Sequence, residues 1–172
     1  MGKTYDSSDD DDLEYHPPTR EEVFAQLEDW RQRLRKLYAD IISWLPEGEG
    51  YETEICDYMT DEGPMRYVGV PPQPVPELRV FYHGELRLTF TPDACWIIGA
   101  GGQVLVHTHT TSHELYDSTS PFVEPGWRLI RKNRRNLSLG VQFLTRPFNR
   151  DEARGYLFDQ QQLKDLMEPA HG

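Results

Sequence analysis

Residues 19–46 read TREEVFAQLEDWRQRLRKLYADIISWLP, and this stretch decides the fold class. Thr19 followed by Glu22 is the capping-box pattern of a helix start, and Pro46 is typical of a helix end. Between them, apolar residues recur at alternating intervals of four and three residues, which places them on one helix face: Val23, Leu27, Trp30, Leu34, Leu37, Ile41 and Trp44. We therefore predict a helix over 19–45.

The apolar face of this helix suits either of two packing partners, the chain's own sheet or a second copy of the helix. Phe24 and Tyr38 widen the strict heptad seam, and a face of this width is typical of a helix that lies on a sheet. Taken alone, the same seven residues also suit the seam of a coiled-coil homodimer. The sequence favours packing on the chain's own core and leaves the homodimer as the alternative.

The middle of the chain predicts antiparallel strands. Over 51–144, short runs of alternating apolar and polar residues are separated by turn residues. A first hairpin is expected from 51–60 and 65–70. The segment 71–76, PPQPVP, predicts an extended linker outside the sheet, because proline lacks the N–H group that a central strand donates. A closing helix is predicted over 149–167.

The order of helix, strands and helix predicts the α+β class. We expect a long N-terminal helix and a C-terminal helix packed on an antiparallel sheet or a small open β-barrel. One domain is expected over 19–168. It is preceded by a disordered acidic tail over 1–18, since the run SSDDDD cannot bury apolar surface.

The charge is large and segregated along the chain. The 172 residues carry a net charge of −11. Residues 1–63 hold 6 basic and 18 acidic side chains, whereas 128–154 hold 8 basic and 2 acidic ones. A chain this acidic is repelled by bulk nucleic acid and by anionic membranes. No apolar run approaches the roughly 18 residues of a membrane span, and the acidic start lacks the pattern of a secretory signal.

The cysteines suggest a reducing compartment. Cys56 and Cys95 are the only two cysteines, and neither belongs to a CxxC pattern. We expect reduced thiols in a cytoplasmic protein.

The densest chemical motif is HTHTTSHE over 107–114. Residues two apart on a strand share a face, so His107 and His109 are both able to offer a ring nitrogen to one divalent metal ion. Glu114 or His113 would supply a third ligand. Without a metal, these histidines are ordinary residues of an alternating strand.

The spacing of this motif resembles the first signature of the cupin family. That signature has a glycine, five residues, His-x-His, four residues and a glutamate, matched here by Gly101, His107, His109 and Glu114. The resemblance implies that the last three residues bind a metal inside a small β-barrel, a fold that hosts dioxygenases, isomerases and non-catalytic binders. This chain departs at the signature's closing glycine, which is Pro121, and no predicted strand supplies the later histidine ligand.

A basic run forms a second candidate site. Its five cations fall within eight residues: Arg128, Arg131, Lys132, Arg134 and Arg135. Such a run suits the phosphates of single-stranded nucleic acid, an acidic protein partner or the chain's own acidic tail. It also suits a simple solvated loop. The acidic net charge disfavours nucleic acid.

No complete catalytic constellation is visible in the sequence. Ser112, His113 and Glu114 are adjacent, so their side chains point apart on an extended chain and cannot form a relay. Cys95 has no basic neighbour to activate it. The sequence therefore favours a non-enzymatic, cofactor-free interaction or regulatory module that binds another protein, of the inhibitor, immunity or antitoxin-like or adaptor type. A cupin-like metal-dependent enzyme or binder is the first alternative, and single-stranded nucleic-acid binding is the second.

Overall fold

The computed structural model describes residues 16–97, 100–118, 125–131 and 155–168. Helix α1 spans Arg20–Trp44. Both halves of the predicted capping box form at its start. The Thr19 hydroxyl accepts from the backbone N–H of Glu22 at 3.2 Å, and the Glu22 carboxylate accepts from the N–H of Thr19 at 3.3 Å. These contacts satisfy donors that a helix start would otherwise leave unpaired.

The other elements follow in chain order. They are β1 Tyr51–Thr60, α2 Gly63–Tyr67, β2 Gln73–Tyr82, β3 Glu85–Ala94, β4 Gln103–His107, β5 Ser112–Ser118, β6 Gly126–Ile130, β7 Tyr156–Leu157 and α3 Gln160–Met167. Across the described ranges, the seven strands form one antiparallel sheet whose spatial order is the chain order. Among the described strands the sheet is open, with β1 and β7 at its edges. The predicted α+β class with an antiparallel open sheet is confirmed.

Helix α1 covers one face of the sheet, which we call the helix face. Four of the predicted apolar side chains are buried there: Trp30, Leu34, Leu37 and Ile41. The other two buried ones, Val23 and Leu27, pack in a second cluster with Met65 and Val70. Trp44 is partly buried and packs edge-on against Phe158, with ring centroids 5.7 Å apart. Burying each large apolar side chain contributes about 1.5–3 kcal/mol. The stripe is thus the core contact of a single chain and does not form a seam for a second one.

Side chains alternate between the helix face and the opposite face, which we call the outer face. The helix face carries the buried strand residues Leu78, Val80, Leu88, Phe90, Val104, Val106, Leu115 and Leu129. The outer face is more polar. It includes Glu77, whose carboxylate accepts from the Thr91 hydroxyl at 2.9 Å and from Arg79 Nε at 3.1 Å.

The predicted first hairpin is wrong. Residues 63–67 form helix α2 instead of a strand, because Pro64 occupies its first turn, where a missing N–H costs nothing. Met65 of α2 is fully buried beside Val23 and Leu27 of α1. Strand β1 pairs with β2 over its whole length instead.

The predicted proline-rich linker is also wrong, since residues 73–76 belong to β2. Pro74 pairs with Met59 and Pro76 with Asp57. Strand β3 pairs with β2 only from Leu78 onward. The missing N–H groups of the two prolines therefore leave no carbonyl of β3 without its donor. Side chains of α1 reach the proline carbonyls: Arg31 Nε donates to Pro74 at 2.9 Å, and Tyr38 Oη donates to Pro76 at 2.7 Å.

The closing helix is shorter than the predicted 149–167. Strand β7 occupies Tyr156–Leu157, and α3 begins only at Gln160, where the Asp159 carboxylate accepts from the N–H of Gln162 at 2.9 Å. The chain turns into β7 at Gly155, whose positive φ of 69° breaks a continuous helix. Residues 149–154 of the predicted closing helix, residues 132–144 of the predicted strand region and the acidic run 7–12 lie outside the described residues.

Among the described helices, none combines the length and apolar character required to cross a membrane.

Candidate functional site

The predicted metal ligands are divided between the two faces of the sheet and a loop. His107 ends β4 on the outer face, opposite Ser112, and its Nδ1 lies 2.8 Å from the Ser112 hydroxyl. Glu114 lies on the same face, opposite Leu105. His113 pairs with Val106, so its side chain lies on the helix face, where it is 7% exposed. His107 and Glu114 are therefore brought to one face, and His113 is not.

His109 leaves the strand that the sequence placed it on. The Thr108 hydroxyl accepts from the N–H groups of Thr110 and Thr111 at 3.3 and 3.1 Å, which closes a turn directly after His107. His109 Nε2 instead lies 3.5 Å from a carboxylate oxygen of Glu85.

No three His, Cys, Asp or Glu side chains gather as a metal site within the ranges that the structure describes. The Glu114 carboxylate accepts from the hydroxyl of Tyr116 at 2.6 Å. Burial and this carboxylate raise the pKa of Tyr116 above its ordinary value. The metal hypothesis stays a prediction, with His107 and Glu114 as its two ligands that share a face.

The described part of the basic run contacts the chain's own C-terminal segment. Arg128 Nη2 donates to the Gly155 carbonyl at 3.1 Å. Arg131 Nη2 donates to Gln162 Oε1 at 2.9 Å and lies 3.3 Å from the Asp165 carboxylate. These contacts fasten α3 and the turn before β7 to strand β6. Lys132, Arg134 and Arg135 lie outside the described residues, so binding of nucleic acid or of an acidic partner stays a prediction.

Both thiols are held in their protonated form. Burial, and then the neighbouring Glu77 carboxylate, raise the pKa of Cys56 despite the nearby Arg79. Burial and Glu62 raise the pKa of Cys95 to about 12. Because the thiolate is the nucleophile, neither cysteine is activated for covalent chemistry at neutral pH.

The feature that the sequence did not single out is strand β1. Its ten residues, YETEICDYMT, form the edge of the sheet and are exposed almost throughout. Ile55 is 52% exposed and Met59 is 56% exposed, although both belong to a paired strand. The strand contains no proline or lysine and pairs with β2 without a bulge, so it lacks the usual devices that protect a sheet edge apart from its acidic side chains.

The prolines of β2 reveal which backbone groups of β1 are unpaired. In an antiparallel pair, alternate residues exchange two hydrogen bonds, and the residues between them exchange none. Pro74 and Pro76 have no N–H to exchange, so their partners Met59 and Asp57 belong to the second set. The register is unbroken, hence Ile55 and Thr53 belong to it as well. The N–H and C=O groups of these odd-numbered residues point away from β2.

The odd-numbered side chains of β1 lie on the helix face beyond the cover of α1. Ile55 is opposite Leu78, which is fully buried in the core, yet Ile55 itself remains half exposed. The α1 side chains Arg31 and Tyr38 reach carbonyls of β2 rather than β1. Among the described residues, the site therefore combines an unpaired backbone edge with an apolar shelf formed by Ile55 and Met59, and Asp57 lies between these two on the same face.

Comparison with protein-family models, with curated proteins and with solved structures gives no match for this chain. The functional proposal therefore rests on surface geometry and chemistry.

Proposed function

We propose that the protein is a non-enzymatic interaction module that binds another protein along the free edge of β1. The carrying observation is the row of outward-facing N–H and C=O groups on Thr53, Ile55, Asp57 and Met59. An extended segment of a partner would add to this edge as a further strand, a recognised mode of peptide binding. Each new backbone hydrogen bond would contribute about 0.5–1.5 kcal/mol net.

This proposal moves the interaction surface from the helix to the sheet edge. The apolar stripe of α1 is buried within its own chain and is no longer available to a partner. The exposed Ile55 and Met59 take over the role of the apolar contact. Both are flanked by outward-facing backbone groups that a partner strand would pair with in place of water, as is usual for strand addition.

The proposed class is a small acidic regulatory protein of the inhibitor, immunity or antitoxin-like or adaptor type, acting in the cytoplasm. Two observations support this choice. The net charge of −11 suits recognition of a basic partner. Both cysteines are free thiols, which suits a reducing compartment.

The test compares full-length variants as baits in affinity purification with quantitative mass spectrometry. Thr53→Pro removes one outward N–H, and Met59→Lys adds a charge to the apolar shelf. Tyr156→Lys is the matched control, because Tyr156 is also 56% exposed but lies in β7 at the opposite edge. We expect one specific partner to bind the wild type and the control and to be lost from both β1 variants. A partner retained by both β1 variants would contradict the proposal.

The cupin-like alternative rests on His107 and Glu114, which share the outer face. It predicts a stoichiometric divalent metal in protein purified without chelating resin, and loss of that metal from the variant His107→Ala/His109→Ala. Metal content measured by mass spectrometry separates the two proposals. Metal that is lost in the double variant supports the alternative, and its absence after reconstitution contradicts it.

A further inference from the structure

The two faces of β1 carry different chemistry, and this difference specifies the partner. Resting on the proposed function, we infer that the segment added to β1 is an extended strand in which basic residues alternate with apolar residues. Its basic side chains lie on the outer face and its apolar side chains lie on the helix face. Side chains of paired strands meet only on the same face, so the two requirements are independent.

The outer face of β1 requires cations. Glu52 and Glu54 lie there, two residues apart, on a strand that contains no lysine or arginine. Within the described residues, Glu52 forms no ion pair, and Glu54 has only a 3.9 Å contact with Arg79. Opposite charges that face each other across neighbouring strands are stabilising. Lysine or arginine on the partner strand, next to Glu52 and Glu54, supplies that match.

The helix face of β1 requires apolar side chains. Ile55 and Met59 project there on either side of Asp57, and both are more than half exposed. An added strand places its own side chains of the same parity beside them. Apolar residues at those positions remove Ile55 and Met59 from water and extend the core that begins at Leu78.

A second copy of this chain does not meet these requirements. It brings the same net charge of −11 and an edge with the same carboxylates. In the antiparallel pairing of two β1 strands that is centred on Thr53, Glu52 of one protomer lies opposite Glu54 of its partner. In the pairing centred on Ile55, these carboxylates face Tyr58 and Cys56, so neither register supplies a cation. Like charges placed directly opposite each other destabilise a strand pair. The charge pattern therefore selects a basic partner over a homodimer.

The experiment uses the full-length protein and two fluorescent peptides of about nine residues, the length of an ordinary strand. One peptide alternates lysine with valine, and the other alternates glutamate with valine. Binding is measured by fluorescence anisotropy between about 0.05 and 0.3 M salt. We expect the lysine peptide to bind at least about tenfold more tightly than the glutamate peptide, with a preference that declines as salt rises.

Two variants separate the edge from its charges. Thr53→Pro removes an outward N–H and is expected to weaken binding of both peptides. Glu52→Lys/Glu54→Lys reverses the charge of the outer face and is expected to reverse the preference between them. A lysine peptide with N-methyl groups on alternate residues keeps its charges but cannot pair, and we expect it not to bind.

The outcomes distinguish the inference from the proposed function. If Thr53→Pro abolishes binding but the two peptides bind equally, the edge binds strands and the inferred partner chemistry is wrong. If the lysine peptide binds the wild type and Thr53→Pro equally, or the N-methylated peptide binds as well, the attraction is general and strand addition at β1 is wrong. Binding of neither peptide overturns the inference.

Discussion

The hydroxyl of Tyr38 donates a hydrogen bond to the carbonyl of Pro76 at 2.7 Å, and it lies 3.2 Å from the carbonyl of Phe90. Tyr38 thus occupies the point where β2 and β3 begin to separate. Beyond it, β2 continues alone with β1 toward the edge of the sheet. The pairing of β3 with β2 ends at Leu78, and the Tyr38 hydroxyl then supplies the donor for the Pro76 carbonyl of β2. This contact permits the proline-containing part of β2 to remain in the sheet.

We predict that Tyr38→Phe destabilises the protein by about 1–3 kcal/mol, because the buried Pro76 carbonyl loses its donor. Denaturant unfolding monitored by circular dichroism measures this change. The control is Tyr67→Phe, whose side chain is 70% exposed and for which a change within about 0.5 kcal/mol is expected. Equal stabilities of the two variants would contradict the role assigned to the hydroxyl.

The same residue predicts a loss of stability in alkaline solution. Burial, and then the Glu77 carboxylate, raise the pKa of Tyr38 above its ordinary value. Below about pH 10 the phenol is protonated in both states, and its contribution to stability is complete. As the pH rises further, the unfolded chain ionises first, so the free energy of unfolding falls by up to about 1.4 kcal/mol per pH unit.

Denaturant titrations of the wild type and Tyr38→Phe between about pH 8 and pH 11 measure this loss. The stability advantage of the wild type should shrink above about pH 10, because the variant has no phenol to ionise at this position. A constant difference across the range would show that Tyr38 ionises equally in both states.

A third prediction concerns Arg33, which joins α1 to the sheet. Its guanidinium contacts Asp117 and the Gly101 carbonyl, both at 2.7 Å, and lies 5.0 Å from the ring of Trp30. Lysine cannot reproduce this branched geometry. We expect Arg33→Lys to cost about 1–3 kcal/mol in denaturant unfolding.

The matched control for this change is Arg35→Lys on the same helix. Arg35 is 59% exposed, and only a 3.9 Å contact joins it to Glu28. Exposed pairs of this kind contribute little, so a change below about 0.5 kcal/mol is expected. Similar losses from the two substitutions would indicate an effect on the helix rather than on the Asp117 contact.

Gly102 permits the close approach of Trp30 to the sheet. A Cβ atom added at Gly102 would lie 2.2 Å from the Trp30 ring, and its φ of 152° is unfavourable for other residues. We predict that Gly102→Ala destabilises the protein by about 2–4 kcal/mol and changes the near-ultraviolet circular dichroism of the displaced indole. Gly63→Ala is the control, since nothing lies within 4 Å of its added Cβ. If both alanine variants melt at the wild-type temperature, the packing of Trp30 against Gly102 is incorrect.

Neighbouring proline substitutions test the hydrogen-bond direction assigned to β1. Thr53→Pro removes an N–H that points away from β2, so stability should change by less than about 1 kcal/mol. Glu54→Pro removes an N–H that bonds to Arg79 across the β1–β2 pair, and a loss of about 2–4 kcal/mol is expected. Thermal and denaturant unfolding of the two variants measure the contrast. The opposite order of stabilities would place the even-numbered groups at the free edge.

Local patterns in the sequence predicted the helix and the fold class correctly. The capping box at Thr19 and the spacing of the apolar residues act within one helix. Residues close together in the sequence are therefore sufficient to predict that helix. The shared face of His107 and Glu114 depends on the turn between β4 and β5, because alternation along a single strand would place residues seven apart on opposite faces. The position of His109 was missed because the Thr108 hydroxyl ends the strand through a side-chain contact that competes with the ladder.

The pairing of β1 depends on residues distant in the chain. Proline was expected to exclude residues 73–76 from the sheet. The expectation failed because the pairing of β3 with β2 ends at Leu78, so residues 73–76 pair with β1 alone. Pro76 is accommodated because Tyr38, on α1, supplies its carbonyl with a donor. Likewise, the exposure of Ile55 follows from the order of strands in the sheet, which no local pattern encodes.

The order of the strands also bears on how the chain acquires its structure during synthesis. From β1 to β6, the described strands pair in chain order, so this part of the sheet is able to grow through contacts of short sequence separation. Helix α1 is different, because Trp30 packs against Trp127 of β6, with ring centroids 5.9 Å apart. Helix α1 thus keeps part of its apolar stripe uncovered until β6 has been made, and apolar surface exposed in this way makes a folding intermediate prone to aggregation.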